Sequence, residues 1–355
     1  MDLSLFFFAN TAAETVDGAA GCYDLLLESA RFADRNGFAA VWTPERHFHA
    51  FGGQYPNPSV LGAALATTTS RIAIRAGSVV APLHDPVRIA EEWSVVDNLS
   101  RGRAGVSFAS GWQPVDFTLR PHAYADRKRL MAEAVDTVRA LWRGEDLALS
   151  GPDGAEHKVR VFPRPVQREV PVWITAAGHI DTFRTAGRLG AGLLTHMLGQ
   201  DHTTLARNIG AYREEFAACH GEDARGHVSV MAHTLTGPSR ESVRSQVRAP
   251  LREYLRSSLD LLMRSGGGPA ASAGAPLTLS AQDEEFLLDR AFDRYFDTAG
   301  IFGPVTEAVA AARAIEEAGA DEVACLIDFG VPAQEVLRAL PSLAEVARHL
   351  AGPRP

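Results

Sequence analysis

The sequence predicts a closed (β/α)8 TIM barrel, and three observations predict it. Short apolar runs alternate with helical patterns along most of the chain, the order that builds a parallel sheet. About eight such units fill 355 residues, which suits a barrel better than an open sheet. The first apolar run leads into "FFFANTAAE", without the G-x-G-x-x-G that a dinucleotide-binding open sheet carries at that turn.

The elements follow in order. Leu3–Phe8 is a nearly continuous apolar run and reads as a buried strand. Tyr23–Asn36 is amphipathic, with Leu26, Leu27, Ala30 and Ala33 on one face and Gly37 as its stop. Ala39–Trp42 is the second strand, Ser59–Ser70 a helix and Ile72–Val80 the third strand. Val87–Leu99 is helical, with Asp85 placed as N-cap and Pro86 at the first position. Gly105–Ala109 is a strand, Arg127–Arg143 a long helix, Val172–Ala176 a strand and Thr182–Leu189 a helix. Gly192–Thr195, His202–Cys219 and His227–Thr234 continue the alternation, and Val305–Ala318, Glu322–Ile327 and Ala333–Leu350 close it.

One barrel domain over residues 1–355 is expected, with an insertion at about 237–303 that either caps its C-terminal face or is a plain surface excursion. The insertion opens with a charged helical run, Arg240–Arg264. It continues as "SGGGPAASAGAP" (265–276), a composition expected to be mobile because it buries almost nothing. It ends in the acidic, aromatic "AQDEEFLLDRAFDRYFDTAGIFG".

Composition narrows the function. Lys+Arg 35 against Asp+Glu 43 gives a net charge of −8, so no basic footprint for nucleic acid exists. No apolar run reaches the ~20 residues of a membrane span. The start "MDLSLFFFAN" lacks a basic n-region and reads as a strand, so a cytoplasmic protein is expected. Cys22, Cys219 and Cys325 are too scattered for a disulfide framework or zinc knuckle. His227 and His233 on one strand make no metal set with His47 and His49, and no metal site is expected.

In such barrels chemistry sits where strands end. The second strand runs into Glu45, Arg46, His47, Phe48 and His49, the third into "AGSVVAPLHDP", the fourth into "SGWQPVDF" and the sixth into "THMLGQ". The fifth runs into "TAAGHIDTFRTAG", where small residues precede a helix start. Free N–H groups there, with Ala177, Gly178 and Thr182, suit a phosphate, and the same pattern also serves as a plain cap.

Taken together these loops resemble the bacterial luciferase-like family of flavin-dependent monooxygenases. "VWTPERHF", "PVRIAEEWSVVDNLSRGR" and "PVWITAAG" carry the resemblance, which covers Met1 to about Thr234 and returns at "ADEVACLIDFG". "WTPERHFH", "SGWQPVDF", "LTHMLGQ" and "ACLIDFG" resemble the subgroup found beside polyketide and nonribosomal-peptide assembly lines. The resemblance implies a noncovalent reduced FMN delivered by a separate flavin reductase, and O2 as co-substrate through a C4a-peroxyflavin. It also implies a homodimer, and a substrate in natural product biosynthesis, free or carrier-protein-tethered. By position, Ala109, Ser110, Gly111 and Trp112 would lie along the flavin. Ala177, Gly178 and Thr182 would hold its phosphate, with Thr195 and His196 on the other side. Gly77–Ser78 falls where the family has a non-proline cis peptide.

The chain departs from the light-emitting members at three positions. Their catalytic histidine falls on Arg46, their reactive cysteine on Ala109 and their phosphate-gripping arginine on Ser110. Arg46 is permanently charged and suits an anionic oxygen or substrate group. His47 is then the candidate general acid/base. Plainer roles stand beside these: His47 packed under Trp42, Arg46 paired with Glu45 or a loop carboxylate, His49 on the rim, Trp112 in the core, Asp116 capping a turn. A deazaflavin-dependent dehydrogenase and a non-catalytic flavin-binding protein are the competing functions on the same barrel.

Overall fold

The computed structural model describes residues 1–8, 21–49, 52–264 and 281–351, with side chains described except at 258–264 and 281–282. The strands are β1 (Asp2–Phe6), β2 (Ala40–Thr43), β3 (Ala73–Val80), β4 (Ala104–Ala109), β5 (Leu147–Ser150), β6 (Glu156–Val159), β7 (Val172–Thr175), β8 (Gly192–His196), β9 (Val228–Thr236), β10 (Ile301–Gly303) and β11 (Glu322–Leu326). The helices are α1 (Asp24–Arg35), α2 (Pro58–Thr68), α3 (Pro86–Ser100), α4 (Arg127–Arg143), α5 (Ile180–Arg188), α6 (His202–His220), α7 (Arg240–Arg264), α8 (Ala281–Thr298), α9 (Val305–Glu317) and α10 (Ala333–Leu350).

Eight parallel strands close the barrel in the order β1-β2-β3-β4-β7-β8-β9-β11, and β11 returns to β1. The strands form where apolar residues face both the lumen and the surrounding helices: β9 is buried at every position and β2 at all four. α1 buries Leu26, Ala30 and Ala33, the expected face. Asp85 caps α3 by accepting from the Val87 N–H at 2.8 Å.

Three strands outside the barrel carry little sequence signal. β5 and β6 pair antiparallel and are mostly exposed, so no apolar alternation marks them. β10 spans three residues and adds to β9. It returns the chain from the insertion to the barrel.

The insertion is built on an antiparallel helix pair. Arginines at four-residue spacing on α7 fall on one helix face. Arg240 pairs with Asp297, Arg244 with Asp293, Arg248 with Asp289 and Arg252 with Glu285 on α8. The expected mobile stretch, 265–276, lies outside the described residues, as do Ala9 and Asn10 after β1. Among the described residues no helix is long and apolar enough to cross a membrane.

The lumen at the N-terminal end is filled by a charged group. Glu322 accepts from Arg75 Nη1 at 2.7 Å, from Trp42 Nε1 at 2.9 Å and from the Ser4 hydroxyl. The Arg75 guanidinium carbon lies 4.9 Å from the Trp42 ring centre and 4.5 Å from that of Trp173, and those two rings meet edge to face. This plug lies at the end of the barrel opposite the loops that follow the strands.

Candidate active site

The loop after β2 places three polar residues at the mouth. Glu45 is buried and accepts from both His47 Nε2 at 2.8 Å and His84 Nε2 at 2.6 Å, through one oxygen, Oε1. Its Oε2 accepts from the Val80 N–H at 2.7 Å. Burial works to raise the Glu45 carboxyl, but these hydrogen bonds outweigh it and hold it below the ordinary value. A carboxylate only accepts, so it fixes His47 with its proton on Nε2 and Nδ1 as the acceptor atom. The His47 ring lies 5.7 Å from that of Phe48.

Arg46 does not pair with Glu45. It is 4% exposed, and its Nε and Nη2 have no hydrogen-bond partner. Its guanidinium carbon stands 5.1 Å from the Trp112 ring centre. Burial pulls its pKa down, opposed by the charge of Asp116. Asp116 is no simple turn cap: it is buried, makes no capping hydrogen bond and has an unpartnered Oδ1. Burial raises its carboxyl above the ordinary value despite the nearby Arg46. Gly111 sits at φ +74°, and a Cβ there would meet Val80 and Phe117 at 2.8 Å, so this turn requires glycine.

Across the mouth, the helix pair covers β9. His233 Nδ1 lies 2.8 Å from the Tyr295 hydroxyl, and its ring packs edge-on against Tyr254, Tyr295 and Phe329. Its Nε2 is unpartnered. Burial, with the nearby His196, drives its pKa down to about 3. Burial also lowers the pKa of His196 at the end of β8, and its Nδ1 is unpartnered. Thr195 is buried and accepts from Gln200 Nε2 at 3.2 Å.

The wall between β3 and β7 is lined with hydroxyls. Ser78 Oγ and Thr175 Oγ1 are 2.5 Å apart, and Ser107 Oγ is 2.8 Å from Thr175 Oγ1. The Gly77–Ser78 peptide is cis, as the resemblance leads one to expect. At the end of β4 and just beyond it, Ala109, Ser110 and Gly111 are half-buried and Trp112 is 44% exposed. Beyond β7, Ala177 and Gly178 are exposed and Thr182 half-buried. No side chain caps the start of α5, and a Cβ on Gly178 would meet nothing within 4 Å. Uncapped amides beside open space are what a phosphate group needs, so the residues present fit the phosphate of a cofactor there.

Most of the expected site residues therefore lie in or just after the C-terminal halves of barrel strands, with Thr182 in the first turn of α5. Arg46, His47 and Trp112 come together; His196 joins a separate cluster around His233. Sequence reasoning missed Glu45 and His84 as partners of His47, and Asp116 as a neighbour of Arg46. It also missed His233, Tyr254 and Tyr295. Glu45 stands in the quoted loop motif itself, so its signal was present. Tyr254 and Tyr295 lie in an insertion whose seat on the barrel no local pattern reveals.

With this geometry in view, comparisons with known proteins agree. A family model described as "Luciferase-like monooxygenase" matches residues 1–322. The oxygenase component of a flavin-dependent trigonelline monooxygenase from Acinetobacter baylyi is 27% identical over 320 residues, 87% of this chain and 84% of that one. Among solved structures, monooxygenase RslO1 from Streptomyces bottropensis superposes with a TM-score of 0.78 at 22% identity, covering 99% of this chain and 100% of that one. The oxygenating constituent of 3,6-diketocamphane monooxygenase from Pseudomonas putida, in complex with FMN, gives 0.75 at 19% identity, over 98% of each chain. An F420-dependent secondary alcohol dehydrogenase shares the fold at 0.69 and 17% identity, over 97% of each. The chain belongs to the luciferase-like monooxygenase family.

Proposed function

We propose that this chain is the oxygenase of a two-component system, taking reduced FMN from a separate flavin reductase and O2 to oxidise an intermediate of specialised metabolism, free or carrier-tethered. The supporting observation is the mouth: a buried guanidinium with two unpartnered nitrogens beside a histidine whose tautomer a buried carboxylate fixes. The whole-length likeness to an oxygenase component supports the same reading.

Reduced FMN, when bound, supplies the electrons that let O2 give one atom to the substrate while the other leaves as water. This chain's residues bind, orient and handle protons. Ala177, Gly178 and Thr182 hold the phosphate. Gly77, Ser78, Ala109, Ser110, Gly111 and Trp112 line the ring, with Thr195 and His196 opposite. Arg46 stabilises negative charge on oxygen or on an acidic substrate group. His47 moves a proton at Nδ1, because Nε2–H is committed to Glu45. The α7–α8 pair excludes water from the mouth. α2 exposes Val60 and α3 exposes Val95 and Leu99, residues that a second copy of the chain would cover.

The test is an anaerobic titration with reduced FMN and, separately, reduced deazaflavin, followed by admission of O2. Binding of reduced FMN and altered flavin reoxidation are expected. His47→Asn should bind reduced FMN normally and slow product formation roughly 10²–10⁴-fold, the range for a lost general acid/base. A chain that binds the deazaflavin and ignores reduced FMN is a hydride-transfer enzyme, and the proposal fails.

A further inference from the structure

Glu45 is approached from two sides. His47 reaches it from the barrel mouth and His84 from the outside, both on Oε1, at 2.8 and 2.6 Å. Glu45 and His84 also line a small cavity between α2 and α3, together with Asn57, Ser59, Arg88 and Glu92. The His84 side chain is 35% exposed and that of Glu45 0%. The chain thus carries a hydrogen-bonded path of three side chains from a surface cavity to the mouth. Arg120 fixes the outer end, its Nη1 donating to the His84 carbonyl at 2.6 Å.

We infer that His84 is a positioning residue: through the carboxylate it shares with His47, it holds the His47 tautomer and couples His47 to the pH outside the barrel. The inference rests on the reading of His47 as the group that handles protons. Both imidazoles must present an N–H to the shared oxygen, because an ionised carboxylate has no proton to give. One negative charge therefore serves two potential cations. Sites coupled in this way do not titrate independently.

The surroundings favour charging the outer histidine. Burial opposes a charge on His84, but the Glu45 hydrogen bond and the charges of Glu45 and Glu92 outweigh it, with Arg120 opposing them, and its pKa lies above 6.5. Arg88 lies across the same cavity, and its guanidinium is already paired with Glu91 and Glu92. On the inner side, the charged neighbours are Arg46 and Asp116, which face His47 and Glu45 from the loops after β2 and β4. Once His84 is protonated, Glu45 is neutralised from outside and stabilises a charged His47 less. When His84 is neutral, the full carboxylate charge faces His47. The mouth therefore senses the state of a residue at the surface.

The test is NMR on the whole chain with 13C/15N-labelled histidine and no flavin added. His47 is expected as the Nε2–H tautomer, and its signals are expected to show an inflection at the pH where His84 itself titrates. His84→Gln keeps a donor to Glu45 but cannot titrate, so that inflection disappears while the tautomer stays. Glu45→Gln keeps both histidines and removes the shared charge, so the inflection and the tautomer preference both go. An Nδ1–H tautomer in the wild type, or an inflection that survives Glu45→Gln, overturns the inference. Should Glu45→Gln fail to fold by circular dichroism, His84→Gln decides alone: an unchanged His47 curve overturns the inference. Because no flavin is present, loss of the coupling leaves the oxygenase reading untouched. Failure to bind reduced FMN equally leaves the coupling standing.

Discussion

The guanidinium of Arg46 faces the ring of Trp112 at 5.1 Å, although the two residues leave the barrel on different strands, β2 and β4. A cation over an aromatic face gains about 0.5–2 kcal/mol. That is less than the several kcal/mol of desolvation a buried ion costs. Asp116 is near enough to act on Arg46 electrostatically, yet the two form no ion pair, and each keeps an unpartnered buried atom. A fold optimised for stability alone would have joined them. The gap is where an anionic group would sit under the proposed function.

Arg46→Met should therefore stabilise the protein while impairing it. The substitution keeps volume and removes a buried charge that no ion pair holds, a change worth about 1–2 kcal/mol in favour of folding. For a chain of this length that amounts to a rise in Tm of roughly 1–4 °C. Calorimetry on the flavin-free protein measures it. A lower Tm would show that Arg46 holds the mouth together, and its ligand-binding role would lose its basis.

The barrel was legible because its strands are continuous apolar runs and its helices amphipathic, as in β9 and α1. The Asp85–Pro86 start of α3 was legible from capping chemistry alone. The site was half legible. Arg46, His47 and Trp112 declared themselves as polar or aromatic residues at strand ends. Their partners did not, because pairing is a matter of distance across the barrel: His84 reaches Glu45 from 39 positions away, and Tyr295 reaches His233 from 62. The hairpin β5–β6 was invisible for a different reason, since an exposed two-stranded ribbon needs no apolar period.

Thr182→Val tests the phosphate position. Valine matches threonine in shape and removes the hydroxyl. Loss of one charge-assisted hydrogen bond costs about 1.4 kcal/mol, or tenfold in affinity for reduced FMN. An anaerobic fluorescence titration reads the change. Equal affinity in the variant would take Thr182 out of the site.

His233 should make the protein acid-sensitive. Its folded pKa is depressed to about 3, against about 6.5 when unfolded. Between those values the unfolded chain binds the extra proton, so stability present above pH 6.5 is lost as pH falls. From pH 6.5 to 5 this one residue removes about 2 kcal/mol. His233→Phe keeps a ring among Tyr254, Tyr295 and Phe329 and cannot bind the proton. Urea unfolding at pH 7 and pH 5 should show the variant losing about 2 kcal/mol less than the wild type over that range. Equal losses would mean that His233 is charged in the folded state, contrary to its burial.

Arg75 and Glu322 supply the last prediction, at the opposite end of the barrel. Glu322 is fully buried, and its carboxyl stays below the ordinary value: burial pushes it up, but the Arg75 charge, with His227 and the hydrogen bonds from Ser4 and Trp42, prevails. Arg75→Met removes the cation and strands the carboxylate, which costs about 3–5 kcal/mol. Arg75→Lys keeps the charge but not the guanidinium fork that meets Glu322 beside the Trp42 and Trp173 rings, so its cost should fall between wild type and Arg75→Met. Adding Glu322→Gln to Arg75→Met removes the stranded charge, and the double variant should recover most of the loss. A double-mutant cycle by chemical denaturation measures the coupling. Additive losses would mean that the two groups stabilise the barrel separately, with packing rather than charge as the reason both are buried there.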